Sequence, residues 1–239
     1  MRNILSSAFT VVDLDSAALA GTATVAHPLH DVGDLWLSVH EDGREALPAA
    51  IISVRDDEGP MQVSLDLAAE PADCSGRVRP GQALHVVRKG GYLCLGSSTE
   101  GRGRFATLQN GQKPNLPWDS RSLGPGDLFA FVAMRPGTYA LANRIDDAAC
   151  TVTVIYPDPR RNKMRSPQPP KPIRIRSSKL AGHKTIAMKP GQGMVVEVET
   201  AARFTLDLQA ADDGPPDLAA WRRAQSRTIW PRTQSQRNA

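Results

Sequence analysis

The side chains most capable of chemistry lie in His27-Pro28-Leu29-His30-Asp31, near the start of the chain. Imidazole nitrogens and a carboxylate oxygen are ligands that Zn²⁺ and Cu²⁺ accept. On a β-strand, however, a spacing of three residues places His27 and His30 on opposite faces, unless Pro28 bends the chain. We therefore keep His27, His30 and Asp31 as a candidate metal site, against a general expectation of no bound metal and no cofactor.

Other catalytic patterns are absent from the sequence. It contains no G-x-S-x-G, no phosphate-binding G-x-x-x-x-G-K-[ST] and no H-E-x-x-H. The carboxylates of 56–58 and 146–147 stand among turn-forming residues, where they bond to backbone and water rather than transfer protons. Cys74, Cys94 and Cys150 are far apart and form no metal-binding spacing. These absences favour a protein that is not an enzyme, and a hydrolase or metalloenzyme of unusual geometry ranks last.

Short strands and tight turns dominate the rest of the chain. A Pro-Gly-Gln or Pro-Gly-Asp phrase precedes an apolar run at Arg79, Gly124 and Lys189, and RPGTYALAN from Arg135 is related. Proline and glycine at these positions are typical of a turn that leads into a strand. About fourteen short runs of β-forming residues follow this punctuation, several with period two. The pattern predicts an all-β protein built as one or two antiparallel β-sandwiches, such as those of immunoglobulin-like domains.

One segment resembles a known family. LGPGDLFAFVAMRPGTYALAN, from Leu123 to Asn143, is similar to the late hairpin of cupredoxins, in which two Pro-Gly turns each lead a strand. The resemblance implies a cupredoxin-like sandwich hairpin over 123–143. The residues after Tyr139 read Ala-Leu-Ala-Asn, so the copper ligands of the family are absent and no electron transfer is implied.

Composition divides the chain into four parts. Residues 1–158 are expected to form the sandwich region, with a sub-boundary near 70–80. Residues 159–180 are rich in proline and arginine and read as an extended connector. A C-terminal β-hairpin is expected at 181–209, and a basic tail with a short helix or extended structure at 210–239. Within the first part, 98–127 reads as a long surface loop, with Trp118 as either a contact residue or a lid on the sandwich.

Charge is strongly segregated along the chain. Residues 1–158 carry 13 Lys and Arg against 19 Asp and Glu, whereas residues 159–239 carry 16 against 6. Such a chain can attract a nucleic acid or the acidic body of a second copy. The side chains expected at an interface are Arg160, Arg161, Lys163, Arg165, Trp221, Arg222, Arg223 and Trp230.

The sequence thus predicts a non-enzymatic structural protein that works through protein–protein surfaces, as a subunit of a homo-oligomer or hetero-oligomer. Two alternatives stay open. One is a ligand-binding or carbohydrate-binding module that uses the 98–127 loop. The other is weak, non-specific nucleic-acid association through the basic C-terminal third. No apolar run approaches the length of a membrane span, and charges interrupt the apolar stretch near the N-terminus, so a cytoplasmic protein without a signal peptide is expected.

Overall fold

The computed structural model describes residues 13–41, 47–68, 83–98, 103–110, 113–155 and 170–212. Within them the chain forms sixteen strands and a 3₁₀ helix at Ser177–Gly182. The strands are β1 (Leu14–Asp15), β2 (Thr24–Pro28), β3 (Gly33–Glu41), β4 (Leu47–Arg55), β5 (Gln62–Asp66), β6 (Ala83–Arg88), β7 (Tyr92–Gly96), β8 (Arg104–Asn110), β9 (Lys113–Asp119), β10 (Leu128–Val132), β11 (Gly137–Asn143), β12 (Ala149–Val154), β13 (Ile173–Arg176), β14 (Thr185–Met188), β15 (Gly193–Glu197) and β16 (Phe204–Ala211). No helix in these residues has the length and apolar character needed to span a membrane.

The strands form three sheets. The central sheet has six strands in the order β13-β15-β10-β2-β7-β5. An N-terminal sheet has the order β6-β4-β3-β8-β9, and a C-terminal sheet the order β1-β16-β11-β12-β14. The inner faces of all three meet in one hydrophobic core, which contains Phe129, Phe131 and Phe204 among its largest fully buried side chains. The all-β class predicted from the sequence is confirmed.

The path of the chain is closer to a β-solenoid than to an antiparallel sandwich. From β4 to β7 the chain alternates between the N-terminal and central sheets, and from β12 to β15 between the C-terminal and central sheets. Strands two apart in the chain therefore pair in parallel, as β4 with β6, β5 with β7, β12 with β14 and β13 with β15. The three sheets are consequently mixed, which differs from the purely antiparallel sheets that the sequence analysis expected.

Strands β1–β8 and β9–β16 form two halves related by a pseudo-twofold axis. In the central sheet the axis passes between β2 and β10, which pair antiparallel. Each pairing in one half recurs in the other: β2 with β7 matches β10 with β15, and β3 with β8 matches β11 with β16. The first strands are exchanged, because β1 pairs with β16 of the second half and β9 with β8 of the first.

Equivalent residues in the two halves make the same contacts. Asp15-Ser16 matches Asp119-Ser120: each serine Oγ accepts a backbone N–H, from Phe204 in one case and from Ala106 in the other. Leu19 forms a bridge with Arg104, just as Leu123 does with Ala202. Gly33 and Gly137 open the equivalent strands β3 and β11 with φ of 145° and 154°. The two halves thus repeat the same strand pairings, and several individual hydrogen bonds recur at equivalent residues.

The resemblance to a cupredoxin hairpin is wrong. The segment 123–143 does contain two strands, β10 and β11, with a turn at Pro125-Gly126 before the first but only a bend at Arg135 before the second. However, β10 lies in the central sheet between β15 and β2, whereas β11 lies in the C-terminal sheet between β16 and β12. Because the two strands never pair, they form no hairpin.

The C-terminal third is also organised differently from the expectation. Strands β14, β15 and β16 do not pair with one another, so the hairpin expected at 181–209 does not form; each joins a sheet that the first 158 residues also build. The expected connector at 159–180 ends in β13 and the start of the 3₁₀ helix. The remainder of that connector, 159–169, lies outside the described residues.

Candidate functional site

A polar cluster of buried Asp127 with partly buried His27 and Trp118 lies at the margin of the hydrophobic core. The Asp127 side chain is 1% exposed and accepts three hydrogen bonds. His27 Nδ1 is 2.7 Å from one carboxylate oxygen; Trp118 Nε1, at 3.0 Å, and the Gly124 backbone N–H, at 2.7 Å, donate to the other. The His27 and Trp118 rings lie with centroids 4.5 Å apart. Three donors and one buried carboxylate thus form a compact network.

Three strands from two sheets position these side chains. His27 lies on β2 of the central sheet, and Asp127 immediately precedes the neighbouring strand β10. Trp118 comes from β9, at the edge of the N-terminal sheet, and faces inward beside Leu108. The Pro125-Gly126 turn fixes the backbone position of Asp127. Gly126 adopts φ of 91° in this turn, and the Asp127 N–H donates to Gly124 O.

The pseudo-twofold axis supplies an internal control for this cluster. The residues at the equivalent positions of the other half are Phe131 for His27, Ala23 for Asp127 and Leu14 for Trp118. All three are apolar and buried. Apolar side chains therefore fill the equivalent positions of the other half, and this arrangement of strands can form without a polar cluster there.

The network determines which His27 nitrogen is available. Because an ionised carboxylate accepts, Nδ1 carries the proton that is donated to Asp127, and in the neutral imidazole Nε2 would then be the hydrogen-bond acceptor. The His27 side chain is 24% exposed, so part of the ring can be reached by solvent. Such a pair resembles the orienting half of a catalytic triad. Among the described residues, however, no serine, threonine or cysteine side chain hydrogen-bonds to His27.

The candidate metal site does not form. His27 is engaged with Asp127, while His30 and Asp31 are exposed in the turn that follows β2. Across the described ranges no three His, Cys, Asp or Glu side chains are grouped so as to hold a metal ion. Of the three predicted ligands, only His27 belongs to the cluster.

The region expected as a long binding loop is largely sheet. Between 98 and 127 the chain forms β8 and β9, which pair with each other. Trp118 lies on the second of these strands and covers His27, as a lid would. The sequence does not distinguish Asp127 as a site residue, because an Asp after Pro-Gly is an ordinary turn residue.

An open groove of about 560 Å³ lies on the outer face of the central sheet. Its floor consists of small side chains on adjacent strands, including Thr24, Ala26, Cys94 and Ala130. Tyr92 and Leu128 add apolar surface, and Arg174, Arg176, Glu197 and Glu199 border the groove at the β13 side. Arg176 lies 3.9 Å from Glu197 and 3.6 Å from Glu199, so part of this border is internally paired.

The predicted interface residues Arg160, Arg161, Lys163, Arg165, Trp221, Arg222, Arg223 and Trp230 lie outside the described residues. The nearest described part of the basic third comprises β13, the 3₁₀ helix and β14. It presents Arg174, Lys179, Lys184 and Lys189 as exposed side chains, none of which pairs with a described acidic residue. We call these four the basic ridge.

Outside the cluster of His27, Asp127 and Trp118, burial and neighbouring charges shift the pKa values of several side chains. His40 stacks on Phe105 with ring centroids 4.5 Å apart, and burial lowers its pKa below the ordinary value. Burial alone would raise the pKa of Asp119, but hydrogen bonds and charge from Arg121 outweigh it and hold that pKa low. Burial raises the pKa of the Cys150 thiol to about 11 and also raises that of Cys94. Neither thiol is therefore an activated nucleophile.

Comparisons with known proteins supply no further guide to function. No family model matches the chain, and neither a curated protein nor a solved structure matches it.

Proposed function

We propose that the protein is a non-enzymatic structural protein that assembles with further copies of itself. The observation that carries the proposal is an asymmetric charge distribution on a pseudo-symmetric scaffold. At the β13 side of the molecule stands the basic ridge, without ionic partners among the described residues. At the β5 side, the exposed acidic residues are Asp56, Asp57, Glu58 and Asp66. Arg55, Arg88 and Lys89 are exposed on the same side, where Arg55 pairs with Asp34 and Lys89 with Asp56.

Arg174 and Asp66 lie on the two edge strands of the central sheet, whereas the other charged residues lie on segments close to these strands in the sequence. β13 and β5 are separated by five inter-strand spacings, or about 24 Å at about 4.8 Å each. A molecule with opposite charge at opposite ends attracts a second copy head to tail. Such a contact is heterologous, and it closes into a ring or continues as a filament according to the rotation between copies.

An exposed apolar row gives independent support for a role at surfaces. On the outer face of the N-terminal sheet, Leu84, Ile51 and Trp36 lie side by side on β6, β4 and β3. Leu84 is 62% exposed and Trp36 46%. Adjacent exposed apolar side chains of this size are typical of surfaces that contact another protein.

The experiment is a measurement of mass by light scattering or mass photometry at about 50 mM and about 500 mM salt. Exposed charges are screened beyond about 10 Å at 0.1 M salt and beyond about 3 Å at 1 M. We expect oligomers at low salt that dissociate as salt rises. A protein that stays monomeric at tens of micromolar in low salt contradicts the proposal.

The groove on the central sheet favours a second candidate function, the binding of a small molecule or a short oligosaccharide. Its volume of about 560 Å³ falls in the range of ligand sites, about 300–1,000 Å³. Ala130→Trp would fill the groove, whereas Ala187→Trp would add the same side chain on exposed β14. Ligand-observed NMR with a panel of soluble oligosaccharides tests this: binding that only Ala130→Trp abolishes supports a groove site, and binding unaffected by it rules the groove out.

A further inference from the structure

The two free edges of the central sheet are equivalent in backbone and different in charge. Under the pseudo-twofold axis, β5 corresponds to β13, because each pairs in parallel with the strand two positions later in the chain. Val63 and Leu65 of β5 correspond to Ile173 and Ile175 of β13. On the outward face, however, Ser64 and Asp66 correspond to Arg174 and Arg176.

Neither edge is covered by a described strand. β5 pairs only with β7, and β13 only with β15, within the parts of the chain that the structure describes. The backbone bonds that link other elements include none to the outer side of either strand. An uncovered edge presents N–H and C=O groups that another strand can pair with.

The direction of the strands permits the sheet to continue into a second copy. Moving across the sheet from β13 to β5, three of the five pairings are antiparallel, so the two edge strands run in opposite directions. A second copy placed beside the first by simple translation therefore brings its β5 antiparallel to β13. This is the same relation that β2 and β10 have at the pseudo-twofold axis.

The side chains match in this arrangement on both faces. On the inner face, the partly buried Val63 and Leu65 would continue the apolar layer of Ile173 and Ile175. On the outer face, Asp66 and Ser64 would lie beside Arg174 and Arg176. Opposite charges across strands stabilise a pair, whereas like charges directly opposite destabilise it. Two β13 edges would place arginines together, so the charges select β13 with β5 over β13 with β13.

We infer that copies of this chain join through their central sheets, with β13 of one copy paired antiparallel to β5 of the next. The inference rests on the proposed self-assembly and specifies its surface. It yields a continuous sheet, and the four and five residues of these strands make a small contact, so we expect association in the micromolar range.

The test exchanges charge between the two edges. A chain with Arg174→Glu and Arg176→Glu has two acidic edges, and a chain with Ser64→Lys and Asp66→Lys has two basic edges. Each variant by itself should associate at least about tenfold more weakly than wild type. An equimolar mixture should regain assembly, with the two variants alternating, which mass photometry of differently tagged chains detects.

Controls separate edge pairing from general electrostatics and from misfolding. Lys179→Glu with Lys184→Glu changes charge by the same amount and removes part of the basic ridge, but leaves the β13 edge unchanged. It should weaken association only through the general attraction, and so less than the double arginine variant does. Because Arg176 also pairs with Glu197 and Glu199, Arg174→Glu as a single variant tests the edge without touching those ion pairs. The arginine and lysine variants should keep the wild-type melting temperature within a few degrees. Asp66 accepts hydrogen bonds from the Ser98 hydroxyl and from the Ser98 and Ala68 N–H groups, so Asp66→Lys also removes local bonds. Ser64→Lys as a single variant adds positive charge to the β5 edge without that loss.

The outcomes are distinct. A wild-type monomer overturns both this inference and the proposed function. If wild type assembles but the mixture of variants stays dissociated, or the lysine control weakens association equally, the edge pairing is wrong and assembly uses another surface. Unchanged association in the double arginine variant also overturns it, since β13 would then take no part.

Discussion

Replacing Asp127 by alanine should destabilise the protein strongly. The carboxylate is 1% exposed, and its removal leaves the Trp118 indole N–H and the Gly124 backbone N–H, which belong to partly buried residues, without this acceptor. A buried donor left unsatisfied costs about 1–3 kcal/mol. Because water can reach partly buried groups, we expect the loss for the two donors together near the lower end of about 2–6 kcal/mol, which is still a large part of the roughly 5–15 kcal/mol that stabilises a typical domain. His27 adds less, because water can reach its ring.

Asp15→Ala is the matched control. Asp15 also accepts three hydrogen bonds, one from the Ala17 N–H and two from the Arg203 guanidinium, but its side chain is 27% exposed. Water can replace these bonds, and we expect a loss of at most about 1 kcal/mol. Urea unfolding at one fixed protein concentration measures both variants. Equal losses for the two, or a loss below about 1 kcal/mol for Asp127→Ala, would refute the reasoning that burial sets the cost.

Four further outcomes follow from the structure. The Cys150 thiol, with its pKa raised to about 11, should resist alkylation at pH 8 in the folded protein and react fully in urea, as peptide mass spectrometry measures. Because burial lowers the pKa of His40, the folded state binds fewer protons there than the unfolded state; the stability this contributes is present above about pH 6.5 and declines as pH falls below it, and His40→Gln should flatten that part of the pH profile. Gly91→Ala places a Cβ 2.7 Å from Met61 O and 2.8 Å from Arg88 O and should cost about 1–3 kcal/mol in thermal unfolding, whereas Gly182→Ala meets no atom within 4 Å and should be near neutral. Random duplex DNA should bind with a dissociation constant of roughly 10⁻⁴ to 10⁻⁶ M near physiological salt, and nanomolar, sequence-selective binding in an anisotropy titration would make nucleic acid the partner.

The local structure was largely predictable from the sequence. Alternating side chains identified strands such as β5 and β16, and the Pro-Gly phrases at Pro125 and Pro190 do form the turns that lead β10 and β15. Strand partners were not predictable in the same way. A turn specifies where a strand begins, whereas which sheet it joins depends on contacts with strands far away in the chain. β10 and β11 illustrate this, because only four residues connect them although they belong to two different sheets.

The candidate site was predictable only in pieces. The sequence singles out His27 as a candidate metal ligand and Trp118 as a contact residue or a lid. It does not single out Asp127, whose carboxylate lies within hydrogen-bond distance of both. The missed signal was a repeat: Asp-Ser-x-x-Leu occurs at Asp15 and again at Asp119. Aligning the halves on this motif would have set Asp127 against Ala23. A carboxylate in place of an apolar core residue would then have indicated the site.

The exchange of first strands has a consequence for how the chain is made. During synthesis β9 can pair at once, because its partner β8 directly precedes it in the chain. β1 cannot pair until β16 has been synthesised, almost at the end of the described chain. Until the second half arrives, β2 also lacks its neighbour β10 across the axis. A nascent first half therefore carries one unpaired strand and, at β2, a sheet edge that the second half later covers, and such features are sites of misassembly and of chaperone binding. In the finished protein, Phe204 of β16 stacks on Phe129 of β10, so the last strand to appear also completes the core.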